Sequence, residues 1–426
     1  MRETTANKKS LLKVIGPGLL FASTAIGTSH LVLSTRAGAQ HGMIYLWIIL
    51  GALVLKYPFF EFGPRYATAT GNSLLKGYKD QGKWVLVLFM LIISMNMFAV
   101  TGAIAAVSAG LLATMFGITG LTVPLLAGVI IGISVLLLLL GGYKGLDGLI
   151  KGISVILLLT VCTAFIAVLI KGKAAPHVDA TSTALLKGAG LNLLISLLGW
   201  MPSGMEASTM SSIWTIEKAK ATNYNPSLKE SLFDFNLGYI FALILALMFM
   251  TIGAYTVYGT GTVLDGNATA FSNKLLTVFV STIGEWSYYI IAIAALGTIY
   301  GTLITVLDAF PRCLVRGVRI LRFGQIEQNK IQNQFLDKLY KVILIVLGIG
   351  SFCLFYFSAA SMLQLLQFVT ILSFIYSPFI AFINLRAVQH SSVPESHKPS
   401  MPLLVTAYIG LASLVLFSVY YLSTLM

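Results

Sequence analysis

Three side chains with strong donor or acid–base chemistry stand inside long apolar runs: His30 in "AIGTSHLV", and Met201 and Glu206 in "GWMPSGMEA". Each is flanked by residues that weaken a helix. Gly27, Thr28 and Ser29 precede the histidine, and Pro202, Ser203 and Gly204 separate the methionine from the glutamate. An ionisable group inside an apolar span is costly and is by default a functional candidate. A carboxylate and an imidazole that approach each other can bind a cation or carry a proton, because modest environmental changes move a histidine across neutral pH. A thioether beside them is a soft donor that suits transition metals. His30, Met201 and Glu206 are therefore the candidate metal ligands. Two further pairs, Glu61 with Arg65 and Asp308 with Arg312, are spaced i,i+4 and are expected to form ion pairs on their helices.

The elements that must position these groups are membrane helices. Of 426 residues, 57% are hydrophobic and 10% charged, and the mean hydropathy is +0.88. A soluble domain is nearer a quarter charged. The apolar runs are continuous, which excludes the alternating pattern of a β-barrel and leaves a polytopic all-α integral membrane protein. Eleven spans are predicted, over residues 14–36, 43–67, 84–114, 121–141, 147–170, 189–214, 234–258, 282–311, 340–358, 362–386 and 402–424. The basic N-terminal segment precedes a run too long for a cleaved leader, so that run is expected to be a retained first span. Cys162, Cys313 and Cys353 have no metal-finger or redox spacing and are given no role.

Charge sets the orientation. With the N-terminus inside, the inner segments carry 22 Lys and Arg against five outside. This bias predicts a cell-membrane protein with a cytoplasmic N-terminus and, after an odd number of spans, an extracytoplasmic C-terminus. The net charge of +13 is thus a matter of topology and not of nucleic-acid binding. The stretch "PRCLVRGVRILRF" is expected to lie on the inner lipid surface.

Spans one and six share a pattern. One begins "GPGL" at Gly16 and the other "GAGL" at Gly188. Each has a glycine eleven residues on, Gly27 and Gly199, after which each turns polar or helix-breaking. Five spans separate the two starts, so the halves have opposite orientation. Inverted halves with broken segments at matching positions point to a secondary transporter whose site lies between the breaks. The repeats are expected over about residues 14–170 and 188–386, with an extra helix over 402–424, all in one transmembrane domain. Freed carbonyls, with Gly27, Thr28, Ser29, His30, Met201, Pro202, Ser203, Gly204 and Glu206, would make up the site. No nucleotide loop, nucleophile motif or paired acids suggest an enzyme, and no cofactor is expected. Nothing calls for an oligomer; a monomer in the lipid bilayer suffices.

Several stretches resemble the NRAMP (natural resistance-associated macrophage protein) family of divalent-metal transporters. "GPGLL…AGAQHG" resembles that family's GPGLL…AGAQFG, "RYATATGNSLL" its R-L-G-x-x-T-G-x-x-L, and "MPSG" stands where the family has Met-Pro-His-Asn. The resemblance covers nearly the whole chain. It implies a LeuT-like fold of two inverted five-helix repeats, discontinuous helices 1 and 6, and alternating access. It also implies departures at the site. The family's Asp-Pro-Gly-Asn is here Gly27-Thr28-Ser29-His30, so the charged ligand is a glycine and the asparagine ligand is His30. Met201 keeps the family's sulfur ligand. The family histidines fall at Ser203 and Ser208, its acidic proton-path motif at Thr101–Ile104, its glutamine ligand at Thr370, and a common tyrosine at Glu206. The resemblance therefore implies a divalent metal ion as substrate, with the usual proton coupling lost. The alternatives are transport of a small organic solute such as an amino acid, whose carboxylate the "GTS" backbone could receive, and a non-transporting sensor that kept the fold.

Overall fold

The computed structural model describes residues 14–141, 143–175, 186–264, 267–324, 330–358 and 361–425, and the side chains of all these except 143–155 and 157. Arg2, Lys8, Lys9 and Lys13, which weigh in the orientation argument, lie outside the described residues, as do the side chains of Lys144 and Lys151. Among the described residues all regular structure is helical. The first apolar run forms α1 (Pro17–Ala25) and α2 (Ser29–His41), bent by 43° at a short break. Then come α3 (Ile44–Thr70), the short α4 (Leu74–Gln81), α5 (Lys83–Phe116), α6 (Val123–Leu139) and α7 (Tyr143–Lys171). The second half begins with α8 (Gly188–Trp200) and α9 (Ala207–Thr222), separated by six non-helical residues. It continues through α10 (Leu228–Thr256), α11 (Ala268–Ile283), α12 (Tyr288–Arg322), α13 (Lys330–Phe357), α14 (Met362–Gln389) and α15 (Met401–Ser423).

Seven of these helices are long and apolar enough to cross a membrane, and eight if the bent α1–α2 pair is one span. Trp47, Met95, Ile170 and Phe357 point outward and exposed, as expected where lipid and not water is the outer solvent. Helix α11 belongs to none of the expected spans. It is amphipathic: Phe271, Leu275, Leu276 and Phe279 are buried, and the Asn267 side chain accepts from the Ala270 amide at 2.8 Å to start it. At 16 residues it is shorter than the helices that count as crossings and one face is polar, so a search for long hydrophobic runs passes over it.

Helices pack where side chains are small, because lipid supplies no hydrophobic drive and close backbone approach must do the work. A Cβ on Gly18 of α1 would strike the Asp234 carbonyl of α10, and one on Gly199 of α8 would strike the Thr370 carbonyl of α14. The pairing of elements exchanges between the halves. Helix α2 packs on α10 and α9 on α3, while α7 packs on α12 and α14 on α5. One end of the bundle collects the basic segments. There Arg65 donates to the His397 carbonyl at 2.7 Å, Lys79 to Ile320 at 2.9 Å, and Arg316 to Glu217 at 2.9 Å. The two expected i,i+4 pairs form: Arg65 grips Glu61 with two nitrogens at 2.6 and 2.8 Å, and Arg312 meets Asp308 at 2.6 Å. Tyr340 of α13 also donates to Asp308, at 2.5 Å.

Candidate functional site

The two breaks lie against each other at the middle of the bundle, and Ser29 Oγ stands 3.4 Å from the Pro202 carbonyl. The first break is built from small residues. Helix α1 stops at Ala25, and a π-helical stretch, Ser29–Ser34, opens α2. Gly27 is required here, since a Cβ would collide with the Thr302 side chain of α12, which itself donates to the Ser23 carbonyl at 3.1 Å. Ser29 and His30 satisfy each other. His30 Nε2 lies 2.9 Å from the Ala242 carbonyl of α10, which can only accept, so Nε2 carries the proton. In the neutral ring that leaves Nδ1 an acceptor 2.8 Å from the Ser29 hydroxyl, whose single proton it shares with the Ala25 carbonyl at 2.7 Å. His30 is fully buried and faces α10.

The second break carries the charge. Pro202 lacks the amide that would continue α8, and its peptide bond with Met201 is cis. Helix α9 resumes at Ala207, with Glu206 as the residue before it. A carboxylate is well placed there, where the unpaired amides of a helix start favour negative charge. The Glu206 side chain does not cap its own helix but folds over Gly204, where a Cβ would come within 2.6 Å of Oε2. A polar network holds it. Tyr376 of α14 donates to Glu206 at 3.1 Å, Asn96 of α5 donates to the Tyr376 oxygen at 2.6 Å, and Ser373 lies 3.0 Å from Tyr376. Trp200 Nε1, at the end of α8, donates to Ser373 at 2.9 Å. Helices α5, α8 and α14 thus supply a network that reaches the carboxylate through Tyr376.

Between the breaks is a cavity of about 40 Å³. That is room for roughly three waters, or for a cation with part of its hydration shell. Its polar lining is Thr24, Thr28, Ser29, Ser203, Glu206 and Thr302; Val100, Ile104, Trp200, Met210, Val306 and Phe310 close it with apolar surface. The Thr28 hydroxyl is buried and has no hydrogen-bond partner among the described residues. Of the expected site residues, Thr28, Ser29, Ser203, Gly204 and Glu206 line this space and Gly27 abuts its Thr302 wall. His30, Met201, Pro202 and Thr370 do not line it. The Thr370 hydroxyl is spent on its own helix, at 2.9 Å from Leu366 and Gln367. His30 and Glu206 are held by different partners, Ala242 and Tyr376, and are not paired. Among the described residues no three His, Cys, Asp or Glu side chains converge. A cation here would meet one carboxylate, hydroxyls and backbone carbonyls.

The network partners Asn96, Ser373 and Tyr376 were not legible as site residues, and neither was Lys56. Lys56 is 2% exposed, and its ammonium donates to the carbonyls of Leu198, Gly199 and Ser203 at 3.0–3.3 Å. The signal was there, since Lys56 is a charge within a predicted span.

Broken helices packed around a central polar cavity are one test of kinship; comparison with known proteins is another. The family model described as natural resistance-associated macrophage protein-like matches residues 18–424. The chain belongs to the Nramp family. It is therefore a multi-pass membrane transporter and not an enzyme. It is 34% identical over 419 residues to an uncharacterized protein of Pasteurella multocida (strain Pm70), covering 97% of this chain and 93% of that one. Among solved structures it resembles a manganese transporter of Eremococcus coleocola, with a TM-score of 0.67 at 14% identity over 98% of this chain and 87% of that one. It also resembles MhsT in complex with L-phenylalanine, with a TM-score of 0.62 at 14% identity over 95% and 98%. At such identities these likenesses establish the LeuT-like fold of this Nramp chain.

Proposed function

We propose that this Nramp chain moves a divalent metal ion by alternating access, binding it between the α1–α2 and α8–α9 breaks with Glu206 as the anionic ligand. The observation that carries this reading is the buried Glu206 side chain on a cavity of about 40 Å³ whose lining also includes Thr28, a residue whose buried hydroxyl has no hydrogen-bond partner among the described residues. Thr28, Ser29 and Ser203 would add oxygen donors, with retained water filling the remaining positions. Oxygen donors suit Mn²⁺, Mg²⁺ and Ca²⁺ better than thiophilic ions. His30 acts here by orienting Ser29, and Met201 lies behind the cavity wall. The manganese transporter of Eremococcus coleocola, which shares the fold, supports a metal substrate. An amino-acid-sized solute needs several times the volume of this cavity.

The same reading takes eleven crossings, with α1–α2 and α8–α9 each counted as one broken span, α11 as an outer surface helix, and two inverted repeats. The exchange of packing partners between the halves favours it. The collection of basic segments at one end favours a cytoplasmic N-terminus in the cell membrane. Thr101 and Ile104 replace the acids of the family's proton path, and Ile104 forms part of the cavity wall. Transport would therefore run without proton coupling. Purified protein in liposomes, given an inward Mn²⁺ gradient, is expected to take up metal with no matching acidification of the lumen. Failure to take up any divalent metal would overturn the substrate assignment, and acidification in step with uptake would overturn the loss of coupling.

A further inference from the structure

Broken membrane helices expose carbonyl oxygens, and in transporters of this architecture such oxygens are where small cations bind. At the end of α8 three of them, from Leu198, Gly199 and Ser203, point at one spot 3.0–3.3 Å away, and the spot is filled by Lys56 Nζ. The lysine reaches in from α3, is 2% exposed, and lies with its ammonium 5.5 Å from the centre of the Phe60 ring. All three ammonium protons have acceptors, and the end of α8 presents the negative pole of its dipole to them. The charge has a counterpart nearby in the chain: Lys56 donates to the Ser203 carbonyl at 3.3 Å, and the Glu206 carboxylate folds back over the next residue, Gly204.

We infer that Lys56 is a tethered counter-cation, held in a carbonyl shell that would otherwise take a free monovalent ion, and that it neutralises Glu206 when no substrate is bound. This deepens the metal-uniport reading by naming what stands in for a co-transported ion. An empty carrier with a lone buried carboxylate would need a proton or another cation to return across the membrane. With Lys56 in place, the Lys56–Glu206 couple is neutral and the empty carrier returns without one. When a divalent ion arrives, it competes with the ammonium for Glu206 but not for the three carbonyls, so the lysine stays and no ion is exchanged.

The test reads binding through stability and needs no transport, so it stands or falls apart from the metal assignment. Thermal unfolding of the purified full chain is followed in NaCl, KCl and choline chloride at equal ionic strength. The native chain is expected to unfold at the same temperature in all three. Lys56→Ala is expected to gain a saturable stabilisation by Na⁺ or K⁺ that choline does not give, because the vacated shell now takes the ion. Sodium or potassium dependence of the native chain, or a folded Lys56→Ala indifferent to both ions, would overturn the inference. If Lys56→Ala does not fold, Lys56→Met keeps the stem and removes only the charge. It is then expected to be less stable than the double variant Lys56→Met with Glu206→Gln, which removes both charges. A double variant as unstable as Lys56→Met, or more so, would contradict the couple.

Discussion

The two breaks at the centre of this molecule occupy matching places in the sequence but hold their backbones by opposite means. The first is short, neutral and packed by small residues: Gly27 fits under Thr302, and Ser29 and His30 close their own hydrogen bonds. The second spans six residues and is held by charge, with Lys56 on the carbonyls of α8 and Glu206 ahead of α9. The Nramp resemblance puts the family's charged ligand in the first break, where this chain has glycine. On the proposed reading the negative charge at the centre lies in the second break, with Lys56 as its cation. On that reading a binding site is rebuilt on the same scaffold by placing the charge on the other side of a cavity that both breaks line.

Substitutions on each side should separate the roles of the two breaks. The largest effect is expected from Glu206→Gln. It removes the one carboxylate on the cavity while keeping the shape, and should lower Mn²⁺ uptake into liposomes by about 100-fold, in line with loss of a buried charged contact worth about 3 kcal/mol. Next is Gly27→Ala, whose Cβ meets Thr302. It should destabilise the fold by about 1–3 kcal/mol in thermal unfolding, and Thr302→Ala added to it should recover most of that loss. His30→Ala removes the ring's bond to the Ala242 carbonyl, which keeps its helical amide partner, and leaves a buried void; it should cost about 1–3 kcal/mol of stability while changing metal affinity less than about fivefold. An effect on affinity as large as that of Glu206→Gln would mean that the first break also supplies a ligand. Tyr376→Phe removes one hydrogen bond to the carboxylate and should weaken binding by about fivefold, measured by calorimetry. Thr28→Val should be the mildest, a change of a few fold in affinity with stability kept or raised, because its hydroxyl has no partner among the described residues.

Much of this arrangement was readable from the chain. Apolar runs long enough to span hydrocarbon, and the Gly, Thr, Ser and Pro residues that interrupt two of them, suffice to locate the helices and both breaks, because satisfaction of the backbone in lipid leaves few alternatives. Glu206 stood out as an acid in an apolar run. Its partners did not. Asn96, Ser373 and Tyr376 come from helices far apart in sequence, and which face each turns inward depends on how those helices are rotated, which periodicity does not fix when every face is apolar. The direction of His30 was hidden for the same reason: adjacency to Ser29 is visible, but whether the ring turns to the cavity or to Ala242 is set by α10. Helix α11 escaped because half of its surface is polar.

The central claim is that the negative charge meeting the substrate belongs to the second break. Calorimetric titration of Mn²⁺ and Mg²⁺ into the native chain, Glu206→Gln and His30→Ala, run side by side on folded protein, tests it most directly. Saturable binding that survives in His30→Ala and disappears in Glu206→Gln is the predicted result. Binding that survives in Glu206→Gln and disappears in His30→Ala would contradict it and return the site to the first break.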